Sequence, residues 1–297
     1  GEIYNYRELR KELGGRHPFR TNSDTEVIVH LYEELGEKCL EKLNGMFALA
    51  VWDARKEELF LARDRAGVKP LFYADIGGSL CFASEIKALL AFNGMPRELD
   101  EQALANYLSF YYISSPRSIF RHIRRLPQGH FIKVSGKKAE VRQYWHYKFR
   151  PKKMTEREAA ARIEESLLNS VRRQLVSDVP LGVFLSSGLD STAIVAMMAK
   201  LGVRPKTYTV GYEDGGTYNE LDGARLVARK YNTEHHDCLF GPRDIIGSLP
   251  DSVSRFAEPH GDWTYLAMRR VSAVSRKEIT VALTGAGGDE LFAGYPT

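Results

Sequence analysis

The fold of this chain is decided by the run Phe184-Leu185-Ser186-Ser187-Gly188-Leu189-Asp190-Ser191. The apolar residues 179–185 lead into it and are typical of a short buried strand. Two serines and a glycine then permit a tight turn, and residues 192–199 continue without a helix breaker. The pattern predicts strand, turn and helix. The helix N-terminus would offer unpaired N–H groups and a partial positive charge that suit a phosphate.

A second loop further along the chain has the same layout and reads Leu283-Thr284-Gly285-Ala286-Gly287-Gly288-Asp289-Glu290. Residues 278–283 predict the strand that leads into it. Such a pair of loops is typical of a nucleotide site at the carboxyl ends of parallel strands. In the first loop Asp190 lies where a carboxylate can hold Mg²⁺, which needs only one or two carboxylates. Ser191 is placed to donate to a phosphate oxygen.

Two common nucleotide motifs are excluded, because neither G-x-x-x-x-G-K-[ST] nor G-x-G-x-x-G occurs at these loops. The first loop resembles the S-G-G-x-D-S pyrophosphate loop of N-type ATP pyrophosphatases, with Ser187 where that family has its first glycine. The second resembles the S-G-x-G-x-D-E-x-F-x-G-Y motif of the asparagine synthetase family. There Ala286 occupies a position that is acidic in well-studied members. An ordinary strand–turn–helix with polar turn residues remains the simpler alternative for either loop taken alone.

The resemblance implies a set of ATP contacts. Asp289 would be the second magnesium ligand, opposite Asp190. The pyrophosphate would lie on the first loop, at Ser186, Ser187, Gly188, Asp190 and Ser191. Thr284 and Gly285 would lie against the adenosine. Phe184 and Val210 would flank the adenine, although an ordinary core role fits these two residues equally well.

The start of the chain resembles a class II glutamine amidotransferase domain of the same family. The matching segments are Gly1-Glu2-Ile3-Tyr4-Asn5-Tyr6 and Arg20-Thr21-Asn22-Ser23-Asp24-Thr25-Glu26. The resemblance implies that the Gly1 N–H contributes to an oxyanion hole. It also implies that Glu2 and Asp24 hold the α-ammonium group of glutamine. The alternative for Asp24 is a helix N-cap.

The family nucleophile is an N-terminal cysteine, and the family places an asparagine directly before the position of Gly1. Neither precedes Gly1 here, so we expect a fragment truncated at both ends that does not itself hydrolyse glutamine. The cysteines present are Cys39, Cys81 and Cys238. None has a CxxC partner or an adjacent histidine, and we interpret all three as reduced, mostly buried thiols.

Composition narrows the class of protein. The 297 residues, 43% hydrophobic and 27% charged, are enough for about two domains with a real core. A net charge of +4 is too small to indicate nucleic-acid binding. No apolar run approaches the roughly 18 residues of a membrane span. The chain has only three cysteines, an odd number, which favours a reducing compartment over a disulfide-bonded protein. We therefore expect a cytoplasmic location. The eight histidines show no metal-ligand spacing, and the resemblance leaves a homodimer open.

The pattern of predicted secondary structure changes near the middle of the chain. Short strands and hairpin signals dominate the first half, and helices alternate with strands after residue 155. We therefore predict an α+β region followed by an α/β region. These would be an incomplete Ntn-type glutaminase with antiparallel sheets and helices (1–146), a linker (147–154), and a doubly wound parallel-sheet ATP pyrophosphatase domain (155–297).

By this resemblance the function is ATP-dependent amidation of aspartate to asparagine by a carbon–nitrogen ligase. Ammonia would come from glutamine, the intermediate would be β-aspartyl-AMP, and the products would include AMP and pyrophosphate. The expected cofactors are ATP and Mg²⁺, and the small-molecule partners are glutamine, aspartate and ATP, with no nucleic acid and no membrane. Two alternatives stay open: amidation of another carboxylate in a surface-polymer or secondary-metabolite pathway, and a non-catalytic nucleotide-binding module. A β-lactam-forming synthetase is disfavoured by Glu2 and Asp24.

Overall fold

The chain forms two compact units in a computed structural model that describes residues 1–136, 138–213, 215, 219–262 and 264–295. The first unit comprises Gly1–Pro151 with Phe256–Gly261, and the second comprises Lys152–Arg255 with Asp262–Thr297. Within the described ranges, no helix combines the length and the apolar character that crossing a membrane requires.

The first unit is built on antiparallel sheets. Its strands are β1 (Glu2–Ile3), β2 (Gly45–Met46), β3 (Ala48–Asp53), β4 (Glu58–Arg63), β5 (Phe72–Ile76), β6 (Ser79–Ala83), β7 (Arg124–Arg125), β8 (His130–Ser135) and β9 (Lys138–Gln143). They pair as β1-β2, as β3-β4-β8-β9 and as β6-β5-β7. The hairpin between β5 and β6 turns at Gly77 and Gly78, and both glycines adopt positive φ there.

The helices of this unit are α1 (Tyr6–Leu13), α2 (Thr25–Leu35), α3 (Cys39–Lys42), α4 (Ile86–Leu90) and α5 (Glu101–Phe110). α5 begins where the sequence predicts, since the Asp100 side chain accepts a hydrogen bond from the Ala103 N–H at 3.0 Å. The apolar faces of α1 and α2 are buried against the four-stranded sheet through residues such as Leu13, Leu31 and Phe60. Each such side chain contributes about 1.5–3 kcal/mol through burial.

The second unit alternates helices and parallel strands. Its elements are α6 (Glu156–Gln174), β10 (Leu181–Phe184), α7 (Leu189–Lys200), β11 (Lys206–Tyr212), α8 (Leu221–Lys230), β12 (Glu234–Phe240), α9 (Pro242–Arg255), α10 (Thr264–Ser275), β13 (Val281–Leu283) and α11 (Gly288–Phe292). The predicted long helix is α6, which starts with a capping box between Thr155 and Glu158.

The parallel sheet has the strand order β12-β11-β10-β13. The chain therefore adds strands on one side of β10 and then returns to its other side, as in a doubly wound sheet. The prediction of antiparallel sheets with helices followed by a doubly wound parallel sheet is confirmed. The point where the order reverses, between β10 and β13, is where such sheets bind ligands.

One sequence prediction in this unit needs correction. The strand predicted over residues 278–283 forms only from Val281, because the N–H groups of Glu278 and Ile279 both bond back to the Ser275 carbonyl and close α10 with a turn. The sequence also gives no signal for α9, whose interior contains Pro250. Proline removes a helical hydrogen bond and usually indicates a break.

Candidate active site

The two predicted loops leave neighbouring strands and meet each other. β10 and β13 pair in register at Val183 and Leu283, so both loops begin at the same edge of the sheet. A Cβ built on Gly285 would lie 2.8 Å from the Ser191 nitrogen and 3.0 Å from the Asp190 Cβ. The second loop thus touches the first turn of α7, and only a residue without a side chain fits at that contact.

Two serines fix the shape of the first loop. The Ser186 N–H donates to Ser191 Oγ at 3.0 Å, and the two hydroxyl oxygens lie 2.7 Å apart. The Gly188 N–H donates to Ser186 Oγ at 3.1 Å. Ser191 is almost fully buried and its hydroxyl also approaches the Ser186 and Gly188 carbonyls. The hydroxyl therefore braces the loop, and its predicted donation to a phosphate stays a prediction.

The N-terminus of α7 has no side-chain cap. Gly188 occupies the N-cap position in an extended conformation, and no side chain there bonds to the first turn. An α-helix leaves its first four N–H groups without helical partners and carries a partial positive charge at that end. This helix end can therefore accept an anionic group.

Asp190 and Asp289 lie at the junction of the loops. A Cβ on Gly288 would be 2.2 Å from Asp190 Oδ2, so the Asp190 carboxylate packs on the main chain directly before Asp289. A Cβ on Gly294 would be 2.0 Å from Asp289 Oδ1. Both aspartates are half-buried. Carboxylate oxygens are the ligands that Mg²⁺ prefers, and two are sufficient beside waters and phosphates, so these residues fit a magnesium ion.

Ser187, which departs from the pyrophosphatase motif, points away from the loop. Its hydroxyl donates to Glu220 Oε1 at 3.1 Å, and its Cβ would be 2.5 Å from a Cβ built on Gly223 in α8. Its φ is not positive, so a serine adopts this backbone without strain. The Ser187 side chain therefore packs on α8.

The residues expected near the adenosine lie at the same end of the sheet or inside it. The Thr284 hydroxyl accepts a hydrogen bond from the Ala286 N–H at 3.3 Å, and Ala286 is exposed. Phe184 and Val210 are half-buried and pack against the core cluster that contains Tyr208. Both residues thus have a core role, and their contact with an adenine stays a prediction.

In the first unit, the start of the chain is fixed by backbone contacts. β1 pairs with β2, and Gly1 lies directly against the main chain at the end of β2. A Cβ on Gly1 would be 2.6 Å from the Met46 carbonyl oxygen and 2.9 Å from the Phe47 Cα. The Ile3 N–H donates to Asp24 Oδ2 at 2.8 Å. The structure thereby brings the strand that carries Glu2 beside Asp24, while the Glu2 side chain is exposed.

Asp24 occupies the N-cap position of α2 but makes no capping hydrogen bond with its side chain. Ser23 Oγ accepts instead from the Thr25 N–H at 3.2 Å. The preceding turn is held by Glu26, which accepts from the Thr21 hydroxyl at 2.6 Å and the Arg20 N–H at 2.7 Å. These hydrogen bonds, that of Thr21 first, lower the pKa of Glu26 to about 2. The Asp24 carboxylate is therefore directed at β1 and does not cap α2.

Sequence reasoning missed a positioning role for Asp64. Its carboxylate, 1% exposed, accepts hydrogen bonds from four backbone N–H groups, at Phe47, Ala66, Val68 and Lys69. Because Gly1 packs on Phe47, Asp64 fixes the position of the backbone against which Gly1 lies. The sequence shows only an Arg63-Asp64 pair at the end of β4, which by itself suggests no such role.

The three cysteines are free. Cys39 and Cys238 are buried and Cys81 is half-buried, which confirms the prediction of mostly buried thiols. Burial raises the pKa of the Cys39 thiol to about 12 and also raises that of Cys238. A thiol needs a lowered pKa to act as a nucleophile at neutral pH, so neither of these two is suited to that role.

Each half of the chain matches a family of known proteins. Residues 1–145 match the model of a glutamine amidotransferase domain, and residues 162–297 match that of asparagine synthase. Asparagine synthetase (glutamine-hydrolyzing) 1 of Bacillus subtilis strain 168 is 36% identical over 99% of this chain and 47% of its own length. Putative asparagine synthetase (glutamine-hydrolyzing) 2 of Methanocaldococcus jannaschii is 35% identical over 100% of this chain and 58% of its own length.

A fungal relative has a different name. Amidase chyE of Penicillium rubens is 31% identical over 99% of this chain and 46% of its own length. The chain thus spans about half the length of the curated relatives it matches.

Proposed function

Since the chain belongs to the glutamine-hydrolysing asparagine synthetase family, we propose that the whole protein is a ligase that converts aspartate to asparagine. The reaction uses ATP to adenylate the β-carboxylate of aspartate and releases pyrophosphate. Ammonia taken from glutamine then displaces AMP from the β-aspartyl-AMP intermediate.

One observation carries this proposal: the loops after β10 and β13 touch at the switch point of the parallel sheet, with Asp190 packed on Gly288 beside Asp289. The open N-terminus of α7 and the first loop, at residues 186–191, would bind the pyrophosphate and stabilise its charge as it leaves. Asp190 and Asp289 would hold Mg²⁺, which neutralises phosphate charge. Thr284 and Gly285 would contact the adenosine.

The glutamine half is proposed from the first unit. Glu2 and Asp24 would neutralise the α-ammonium group of glutamine, and the Gly1 N–H would stabilise the oxyanion that forms on its side-chain amide. Asp24 supports this role because its carboxylate is directed at β1. The raised thiol pKa of Cys39 and Cys238 implies that neither supplies the nucleophile.

The test is exchange of labelled pyrophosphate into ATP by the full-length protein. We expect exchange that requires aspartate and Mg²⁺ and that falls at least about 100-fold in Asp190→Asn, because the charge that holds the metal is removed. If the protein binds ATP but shows no exchange, the proposal of a ligase is refuted and a non-catalytic nucleotide-binding module is the explanation that fits.

A second candidate is amidation of a different carboxylate. Two observations favour it: Ala286 lacks the acidic side chain that the motif carries elsewhere, and a 31% identical relative is named an amidase. Exchange that is absent with aspartate but present with another carboxylic acid would select this candidate. Exchange that aspartate alone supports would exclude it.

A further inference from the structure

A cluster of metal-ligand side chains that includes none of the residues assigned above to the reaction occupies the surface of the first unit. It consists of His17, which lies between α1 and α2, with His30 and Glu33 on α2. We call these three residues the His–Glu cluster. His30 and Glu33 are three residues apart on one helix and therefore share a face. His17 comes from a separate segment, so the cluster joins two parts of the chain.

The ligand atoms converge on Glu33. The Glu33 Oε2 atom lies 3.2 Å from His30 Nδ1 and 3.5 Å from His17 Nδ1. Ligands bound about 2.05 Å from a tetrahedral zinc ion are about 3.4 Å apart. The two distances to Glu33 are therefore close to those within a coordination shell, and all three ligand atoms lie within 4.8 Å of one another. The exposed side of Glu33, whose side chain is 58% accessible, leaves room for a water as fourth ligand.

Each imidazole also has a carboxylate behind it. His17 Nε2 lies 2.8 Å from Glu34 Oε1, and His30 Nε2 lies 3.8 Å from Glu26 Oε1. A histidine that binds a metal through one nitrogen usually donates its other N–H to a carboxylate, which fixes the tautomer and orients the ring. Glu34 is placed for that role, whereas Glu26 lies too far from His30 Nε2 for a hydrogen bond.

The two imidazole rings lie close together, with centroids 4.6 Å apart, and in each ring the nitrogen nearest to Glu33 is Nδ1. A divalent ion between these two nitrogens and the Glu33 carboxylate can accept a lone pair from each of the three side chains and offset the carboxylate charge.

We propose that the His–Glu cluster binds one Zn²⁺ ion through His17 Nδ1, His30 Nδ1 and Glu33 Oε2. Nitrogen and carboxylate oxygen are zinc ligands, and three protein ligands with one open position form a known type of site. The ion ties the segment that leads to Asp24 onto α2. None of its ligands is among the residues assigned to glutamine, so the proposed effect of the ion is to hold these two segments of the chain together.

A second cluster in the chain makes a matched comparison. Glu234, His236 and Glu278 also lie within ligand distance of one another. There the Lys206 ammonium bridges the two glutamates, at 3.2 Å from Glu234 and closer to Glu278. That cluster already contains its cation. No lysine or arginine ion pair with Glu33 is seen in the described part of the chain, although the neighbouring Glu34 pairs with Arg16 at 2.8 Å.

The test is metal binding by the full-length protein, without ATP, after removal of bound metal by a chelator. We expect one tight Zn²⁺ site by competition with a chromophoric chelator, and tetrahedral absorption bands when Co²⁺ is used as the probe. Glu33→Gln and His17→Asn should each weaken this binding at least about 100-fold, and Glu34→Gln about 10–100-fold. His236→Asn should leave it unchanged.

Glu33→Gln keeps the test valid if a histidine variant fails to fold, because its side chain is exposed and the change is isosteric. Zn²⁺ should also slow proteolysis of residues 14–24 in the wild type and not in Glu33→Gln. The proposal is overturned if no tight site exists, if Glu33→Gln binds as the wild type does, or if His236→Asn abolishes the site.

Discussion

Replacing Gly288 by alanine tests whether contact between the two loops sets the position of Asp190. The added Cβ would be 2.2 Å from Asp190 Oδ2 and 2.3 Å from its Cγ. Real Cβ atoms essentially never approach within 3.0 Å, so the carboxylate must retreat by about 0.8 Å or more. A misplacement of about 1 Å in a catalytic constellation can lower the rate about 100-fold. That factor corresponds to about 2.7 kcal/mol of transition-state stabilisation.

The assay is carboxylate-dependent exchange of labelled pyrophosphate into ATP, with thermal unfolding measured on the same samples. We expect Gly288→Ala to lose about 100-fold in exchange while the melting temperature changes little, since alanine favours the helical conformation of α11 by up to about 1 kcal/mol. Gly247→Ala is the matched control: it is also a helical glycine of this unit, and a Cβ there meets nothing within 4 Å.

The control should retain full exchange and unfold at the same or a higher temperature. The reasoning is refuted if Gly288→Ala keeps its exchange rate within about threefold of the wild type. It is also refuted if Gly247→Ala loses as much as Gly288→Ala, because the effect would then not come from the contact with Asp190.

Three further perturbations test other parts of the molecule. Asp24→Asn keeps an acceptor for the β1 N–H but removes the charge for the glutamine ammonium group. The KM for glutamine should rise at least about tenfold and ammonia-dependent synthesis should not change; a fall in both would contradict the assignment. Asp64→Ala leaves four backbone N–H groups without their acceptor, so the free energy of unfolding in urea should fall by about 3 kcal/mol. An average mutation lowers it by about 1 kcal/mol, so a loss smaller than that would contradict the role of Asp64. Burial raises the pKa of Cys39 from 9.0 to about 12. Folding therefore favours the neutral thiol, and this contribution to stability is complete below pH 9 and lost as the pH rises towards 12. Cys39→Ser should flatten that alkaline decline in unfolding experiments, and an unchanged slope would count against the burial argument.

The parts of the fold that could be predicted from the sequence are those that local patterns specify. Apolar runs precede both loops, and parallel strands must end at one edge, so the meeting of Asp190 with the second loop follows from two local signals. The hairpin at Gly77 and the capped helix after Asp100 have the same origin, since each depends on neighbouring residues.

The remainder depends on contacts between residues distant in sequence. β13 starts late because the Ser275 carbonyl extends α10 with a turn, which no periodicity reveals. The His–Glu cluster joins His17 to α2 across an irregular segment, so its spacing matches no metal motif. Asp64 likewise gives no sign in the sequence that its four donors surround it.

The two departures from the family motifs have different physical consequences. The Ser187 side chain bonds to Glu220 and packs on α8, so it adds neither bulk nor charge where a phosphate would lie. Ala286 is exposed on the second loop and removes a carboxylate from the neighbourhood of Asp190 and Asp289. One negative charge fewer does not weaken attraction for an anionic nucleotide, whereas any step that needs a base at that position is lost. Binding of Mg·ATP should therefore be insensitive to both departures, and the identity of the acceptor and the rate of transfer should depend on Ala286.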